Sequence, residues 1–510
     1  MVLAAVLVVL WEVSRIGDVS YALFKCTNMS RCKTFLIQLL LLLPVLAMGE
    51  VRSMEQARQV ANDFMTVRSK ARMSSVNLRM VYSGEDVLSR SAMTPSYYVF
   101  NNEIGPGFVV ISGDDSTLPV LGYSDTYNFD TVNMPSNLRW WFRYMDRQVN
   151  AARTAGLPVC SREANVGNDV CKYETALWDQ VDPYNQECPM DGSVRSYTGC
   201  GPTAIAIAMR FREWPEAGTG TIPSYQVPIY DEDYEETGEY KSFSGRTLGE
   251  KYNWAAMPLT DGYKNSSWTS ENKSQVARLM ADIGAATLAD YSSEGTGIWD
   301  EDVPPAMSTY FGYSKDFKVE FKEDWNTGQD IYTDSQWYSM VKNELLANGP
   351  TIYAGSDPEG YMGHMFVLAG YTDADYFYLN WGWGGIANGY YRLNALAPDD
   401  QGSGSNDESY HDWVSVMLNF NNPKDIGIGP DIDLKGTTSL KYSHKTKILT
   451  VKVASGVSVQ CQSEEGKAVN VKSSAADVYE IVTDGLSQGV YEIVLSIGAK
   501  KDSVEVILGE

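Results

Sequence analysis

The sequence predicts an α+β protein of several domains: a small α+β domain, a larger aromatic-rich α+β domain, and a C-terminal β-sandwich module. Three observations predict it. The chain has 510 residues, whereas one hydrophobic core ordinarily serves about 100–200 residues. Helical apolar spacing and short β-like runs follow one another through the first 160 residues, and Trp, Tyr and Gly become dense after Trp178. Beyond Pro423 only short alternating runs separated by turn residues remain.

The composition, 44% hydrophobic, 12% aromatic and 21% charged, is that of folded protein and lies outside the disordered and fibrous classes. A net charge of −24 argues against a nucleic-acid partner, because no basic stripe could offset that field. The run TFLIQLLLLLPVLAMG, Thr34 to Gly49, follows Arg31 and Lys33 and ends on the small residues Ala47 and Gly49. That is the layout of a secretory signal peptide, so residues 1–49 are expected to be a leader and the protein to be secreted or held at the cell surface. Pro44 and the short span argue against a membrane anchor; no stable membrane insertion is expected after signal removal. Residues 1–28 stand awkwardly before such a signal, and Met29 would start a compact one. Five of the seven cysteines lie beyond the leader: Cys160, Cys171, Cys188, Cys200 and Cys461. An odd number leaves at least one free thiol unless two chains are joined. A Cys160–Cys171 disulfide stays open. With no C-x-x-C pair, no metal site and no cofactor are expected.

In chain order, MEQARQVANDFMTVRSKAR carries Ala57, Val60, Ala61, Phe64 and Met65 at helical spacing. Strand-like YYVFN, GFVVISG and VLGYS follow. MPSNLRWWFRYMDRQVNAARTAG then opens on Pro135 and Ser136 and closes on Gly156, which reads as a second helix. Residues 50–160 have no His, and no Cys before Cys160, so this domain can hardly perform chemistry; its place in front suits a prodomain. The stretch 157–177 is polar and irregular and serves as the candidate linker, with 161–177 as its activation segment. Residues 178–422 form the expected chemical domain. The acidic run DEDYEE at 231–236 reads as a solvated loop. Residues 423–510 hold SLKYS, ILTVKV, VSVQC, VYEIV, GVYEIVLSI and SVEVIL, a β-sandwich pattern.

The sharpest chemical signal is SYTGCGPTAIAIAMRFREW, Ser196 to Trp214. Gly201 and Pro202 follow Cys200, and an Ala-rich run places Ala204, Ile207, Ala208 and Phe211 on one face. Proline is tolerated in a first helical turn, so Cys200 is expected at the N-terminus of a buried helix, where the dipole lowers a thiol pKa. A nucleophile needs that setting; a buried structural cysteine beside a helix start fits the same local pattern. The partner search is short, because only His364, His411 and His444 are present. His444 falls in the C-terminal module and His411 in a polar Gly/Ser/Asp-rich stretch. His364 precedes MFVLAGY, a strand entering the core, and a base on a rigid strand is the better candidate. Cys200 and His364 then keep the separated Cys…His order of papain-type enzymes.

These residues, taken together, resemble the streptopain family of papain-like cysteine peptidases, from the prosegment through the chemical domain. TGCGPTAIAIAMRFREWP is similar to the family's nucleophile helix, MGHMFVLAGY to its histidine strand, and LNWGWGG (Leu379 to Gly385) to its tryptophan loop. WDQVDPYNQECP (Trp178 to Pro189) resembles the entry into the mature enzyme, and GFVVISGDDSTLPVLGYS the propeptide. The resemblance implies a papain-like catalytic domain and a cysteine endopeptidase made as a zymogen. Cys200 would be the nucleophile, His364 its proton carrier, and Gln180 an oxyanion-hole donor. Asn380 and Trp381 would orient the histidine; Trp381 and Trp383 as plain core aromatics is the competing reading. Gly402 and Gly404, in the GSGS stretch, resemble a mobile active-site loop. The prodomain would block the site until a cut in the linker, after Arg162 or Lys172. Protein or peptide substrates, and the chain's own prodomain as inhibitor, are the implied partners. The family's taste for bulky apolar side chains beside the cleaved residue is implied too, although no pocket can be read from the sequence. VSVQCQSEEGKAVNV and LSQGVYEIVLSI are similar to type IX secretion sorting domains; a plain accessory sandwich fits them equally. The same Cys–His pair would serve a transglutaminase or amidase, and a catalytically silent binding protein of this fold is the third reading.

Overall fold

The computed structural model describes residues 48–72, 76–84, 95–230, 236–263, 265, 267–324, 327–356, 363–395, 413–421, 438–443, 446–453, 457–463, 466–475, 478–487, 489–497 and 500–508. The expected leader, save its last two residues, lies outside them, as do Gly402, Gly404, His411, His444 and most of the acidic run. Residues Gly49–Glu510 form one unit.

The first domain is built from helix α1 (Met54–Arg72), strands β1 (Leu78–Ser83), β2 (Tyr97–Asn102), β3 (Phe108–Ser112) and β4 (Val120–Ser124), and helix α2 (Ser136–Ala155). Ala57, Ala61, Phe64 and Met65 of α1 pack on Phe100, Val109, Ile111 and Tyr123, the stripe expected from their spacing. Helix α2 ends where Gly156 turns left-handed (φ 60°) and its N–H bonds Ala152 O and Arg153 O, a conformation glycine adopts freely. On its buried face α2 carries Trp140, Trp141, Phe142, Met145 and Val149.

The stretch 157–177 is not irregular throughout. Asp169–Lys172 forms strand β5 and pairs with the end of β14 (Gly363–Thr372), Lys172 opposite Gly370 and Cys171 opposite Tyr371. Its pattern is too short to read from sequence; pairing with an existing sheet edge supplies the order. Among the described residues no disulfide joins Cys160 to Cys171.

Beyond it come the short pair β6 (Met190–Asp191) and β7 (Val194–Arg195), helix α3 (Cys200–Arg212), strands β8 (Thr221–Ile222), β9 (Tyr225–Tyr230), β10 (Glu236–Phe243) and β11 (Arg246–Thr247), and helices α4 (Ser270–Ala286) and α5 (Val303–Tyr310). Strand β12 (Lys318–Phe321), helix α6 (Asp334–Asn348) and strands β13 (Thr351–Ser356), β14, β15 (Phe377–Asn380), β16 (Gly389–Tyr391) and β17 (Trp413–Leu418) complete the domain. Capping boxes start α4 at Thr269/Asn272 and α6 at Thr333/Gln336, each satisfying helix N–H groups that have no partner within the helix.

One sheet runs β1-β2-β3-β4-β16-β15-β14-β13-β17-β12, with β5 joining β14. Its two halves meet at β4–β16, where Tyr123 faces Tyr390 and Gly122 faces Tyr391. A Cβ on Gly122 would stand 2.6 Å from Cδ1 of Tyr391, so the junction needs a glycine. Residues of α2 and α6 pack in the cluster holding Phe366, Leu368 and Trp381. Helices α3, α4 and α5 pack in the cluster of Met365, Val367, Ala369, Ile352 and Ala354. Arg212 ties α3 to this sheet, donating to Phe420 O at 2.5 Å, Asn348 O at 2.7 Å and Pro350 O at 2.8 Å.

The C-terminal residues form two four-stranded sheets: β18 (Ser439–Ser443), β19 (Ile448–Lys452), β23 (Val478–Val482) and β22 (Val471–Ala475) in one, β21 (Ala468–Val469), β20 (Ser458–Ser463), β24 (Gly489–Ile497) and β25 (Lys500–Leu508) in the other. Leu449, Val451 and Ile481 of the first share a core with Val459, Cys461, Ile493 and Leu495 of the second.

Candidate active site

Cys200 is the first residue of α3. Gly199 before it has φ 90°, and a Cβ there would lie 2.6 Å from Thr296 O; only glycine allows this approach to the helix. The sulfur accepts the Met365 N–H from β14 at 3.5 Å. Burial pushes the Cys200 thiol above its ordinary pKa, against the N–H groups of Met365, Gly201 and Cys200 itself, and the nearby Asp300 carboxylate pushes it further up. The helix N-terminus was expected to give a lowered value. The donors act in that direction, but desolvation outweighs them.

Gln180 sits in the turn after Trp178. Its carbonyl accepts from Thr198 N at 3.1 Å, and Thr198 shares a hydroxyl bond of 2.8 Å with Thr203 of α3, which fixes the turn beside the helix start. Gln180 is 5% exposed, and its Nε2 is buried with no hydrogen-bond partner. Buried polar groups are usually paired; this donor is one of the few left open among the described residues. Asp179 accepts the Gln180 N–H at 2.6 Å, and burial raises its carboxyl to about 6.

His364 lies on β14, buried at 8% exposure, opposite Gly355. Alternation along the strand places it on the face of Phe366 and Leu368, whereas Met365 and Cys200 belong with the cluster on the other face. The N–H of the next residue, Met365, meets the Cys200 sulfur. The expected pair is brought to one strand end, where His364 is the residue next to Met365. Helix α2 covers the histidine's side: a Cβ on Gly355 would lie 2.1 Å from Cζ2 of Trp140, and the Trp140 ring is 6.1 Å from that of Phe366.

Trp381 packs its ring 4.8 Å from Phe366, two residues from His364, and donates Nε1 to Ala387 O at 3.1 Å. Asn380 donates to Thr175 Oγ1 and Ala176 O, both at 2.9 Å, and accepts from Gly382 N at 3.1 Å. Its amide thus holds the tryptophan loop against the linker instead of the histidine. Sequence reasoning missed Asn137 of α2, which is fully buried and donates to Trp381 O at 2.6 Å. It missed Asp300 too, whose Oδ2 accepts from Ser415 Oγ. A short polar residue at a helix start, and an Asp among other acids, gave no distinguishing pattern. Among the described residues no group of His, Cys, Asp and Glu could hold a metal ion.

Comparison with known proteins places this arrangement. Residues 178–391 match the Peptidase C10 family, and residues 49–149 match the Spi protease inhibitor family. The thiol protease/hemagglutinin PrtT of Porphyromonas gingivalis is 32% identical over 396 residues, which span 74% of this chain but only 43% of PrtT. Streptopain of Streptococcus pyogenes is 26% identical over 339 residues, 63% of this chain and 79% of streptopain. The structure of a Prevotella intermedia prointerpain A fragment superposes with a TM-score of 0.50 at 27% identity, covering 68% of this chain and 99% of the fragment. Residues 178–391 are thus a streptopain-like Peptidase C10 domain, preceded by a Spi-type inhibitor prodomain over residues 49–149.

Proposed function

We propose that this chain is the latent form of an exported cysteine endopeptidase with Cys200 as nucleophile. The observation that carries the reading is the pairing of a helix-terminal Cys200 with an unpartnered, buried Gln180 Nε2. In the active enzyme the Cys200 thiolate attacks the scissile carbonyl carbon, and the oxygen takes up the charge. Gln180 Nε2 and the Cys200 N–H bind that oxygen, a donor pair whose single members are each worth roughly 10²–10³ in rate. His364 takes the thiol proton and returns it to the leaving amine. Water then hydrolyses the thioester, releasing the second product and free thiol. Trp381 shields the histidine's face, and Asn380 holds the loop that carries it.

Latency follows from α2. With Trp140 over Gly355 and Asn137 on the Trp381 carbonyl, the prodomain covers the His364 end of β14, and burial raises the Cys200 thiol. A cut in the linker uncovers this end of the strand once the prodomain departs. Lys172 is locked in β5, its Nζ 4.1 Å from the Tyr378 ring. Arg162, 37% exposed on its side chain, is the better cut point. The leader would direct export, and residues 423–510 would serve sorting or attachment at the cell surface.

The test is incubation of residues 50–510, wild type beside Cys200→Ala, with reductant. Wild type should shorten by about the prodomain and gain activity on a denatured protein while Cys200→Ala stays intact and inert. If both stay inert even after trimming by a second protease, the hydrolase reading fails and a binding protein of this fold replaces it.

A further inference from the structure

Asp179 joins the turn that carries Gln180 to the loop that carries Trp381. Its Oδ1 accepts the Gln180 N–H at 2.6 Å. A Cβ on Gly384 would lie 3.3 Å from its Oδ2 and 3.2 Å from Oδ2 of Asp261, so two carboxylates converge beside one residue of the tryptophan loop. Gly384 is held there: its N–H donates to Trp178 O at 3.0 Å, and its φ of 63° is one that glycine adopts freely. Asp261 is held too, its Oδ1 accepting from the Tyr184 hydroxyl and from Tyr263 N, both at 2.9 Å. Asp179 is buried, and among the described residues the charge acting on it is that of Asp261, with no Lys or Arg to offset it. Tyr184 faces both carboxylates. From the prodomain, Tyr127 reaches the neighbouring glycine, its hydroxyl 2.9 Å from where a Cβ on Gly385 would stand. Two like charges so placed in a desolvated setting oppose each other's ionisation, and the Asp179 carboxyl is raised, by burial first and by Asp261 next.

We propose that Asp179 and Asp261 are positioning residues that share one proton, and that this proton holds Gln180 and the tryptophan loop in register for catalysis. The proposal rests on the oxyanion reading of Gln180. With the proton in place the pair carries a single charge, and Asp179 Oδ1 keeps the Gln180 N–H. Loss of the proton to solvent leaves two charges beside Gly384, and their repulsion spreads the Gln180 turn from the loop. Gln180 Nε2 then moves away from the oxygen it must meet. That displacement lowers kcat more than KM, because the oxyanion exists only in the transition state. Neither carboxylate touches substrate; both act through Gln180 and Gly384.

The test uses mature enzyme processed from the full chain, as wild type, Asp179→Asn and Asp261→Asn, with kcat and KM on a fluorogenic peptide followed from about pH 5 to about pH 8. The Cys–His titration is common to the three proteins and cancels when each variant is divided by wild type. Either amide removes the second charge. The variant-to-wild-type ratio of kcat should therefore rise about tenfold across that range, the effect of about one pK unit of coupling, while the ratio of KM stays within about twofold. A kcat ratio that is flat with pH reduces both residues to packing and overturns the proposal. Should neither amide variant fold, carbon-13 NMR of aspartate-labelled Cys200→Ala protein decides: two carboxyl resonances should move together in two steps, and single-step titration of every carboxyl overturns the shared proton. Wild type that cleaves no peptide overturns the peptidase reading itself, while the NMR titration still decides whether the proton is shared.

Discussion

Gln180→Leu should separate catalysis from folding. The Nε2 of Gln180 is buried and unpartnered, so the native protein already bears the desolvation of that donor, about 1–3 kcal/mol. Leucine has similar bulk and no polar atom, so relief of that penalty offsets a shape mismatch of under about 1.5 kcal/mol. Stability should therefore change little or rise. With about 2–4 °C per kcal/mol for a domain of this size, Tm should stay within about 4 °C of wild type or increase. The rate should respond in the opposite sense. If Nε2 meets the oxyanion, its loss removes about 2.7–4 kcal/mol of transition-state binding, or 10²–10³ in kcat. KM should move far less, because the donor acts on charge that exists only in the transition state. Steady-state kinetics on a fluorogenic peptide and thermal unfolding of the same mature preparations read both quantities. A kcat within about tenfold of wild type would refute the oxyanion assignment, and a Tm loss beyond about 8 °C would show that Gln180 holds the turn instead.

Gly355→Ala should weaken latency, since the added carbon meets the rigid Trp140 ring at 2.1 Å; linker-cut protein should gain activity at higher concentration than wild type does on serial dilution. In the intact zymogen, alkylation of Cys200 by iodoacetamide, followed by mass spectrometry, should be slow at pH 7 and accelerate as pH rises, because burial holds the thiol protonated; a pH-independent rate would contradict this. Asp179→Asn should stabilise the protein at pH 8 and not at pH 4. The folded carboxyl is raised to about 6 by burial, above its unfolded value, so its stabilising contribution is present at low pH and is lost as pH rises through about 6, by roughly 3 kcal/mol. Equal Tm differences at the two pH values would sink that account.

Local chemistry made much of this site legible. The glycine before Cys200, the Pro202 first turn and the Ala-rich run specify a buried helix start, and MFVLAGY specifies a core strand, because each pattern acts over a few residues. What the sequence could not show is which side of β14 each group faces once a second domain docks. Period two puts His364 and Met365 on opposite faces, yet only the α2 packing tells which face is covered. The direction of the thiol's shift is hidden for the same reason: the helix-start N–H groups that lower it are local, whereas the desolvation that raises it is a sum over residues distant in sequence. Asn137 and Asp300 take their meaning from contacts with Trp381 and Ser415, more than a hundred residues away. Strand β5 is likewise set by its partner β14 and not by its own composition.

The shared sheet bears on how activation proceeds. Beyond the β4–β16 pairing, Trp141 Nε1 donates to Arg392 O at 2.9 Å, Ser124 Oγ to Asn388 O at 2.8 Å, and Ala395 N to Gln148 Oε1 at 2.6 Å. None of these bonds involves the linker. Cutting at Arg162 therefore removes only the tether, whose contribution is an effective concentration in about the millimolar range for a short connection. The prodomain then remains seated until dilution or its own digestion releases it. Cleavage and gain of activity should consequently be two events separable in time, with the second dependent on concentration and the first not. Simultaneous appearance of both at every protein concentration would mean that the linker, not the sheet, holds the prodomain in place.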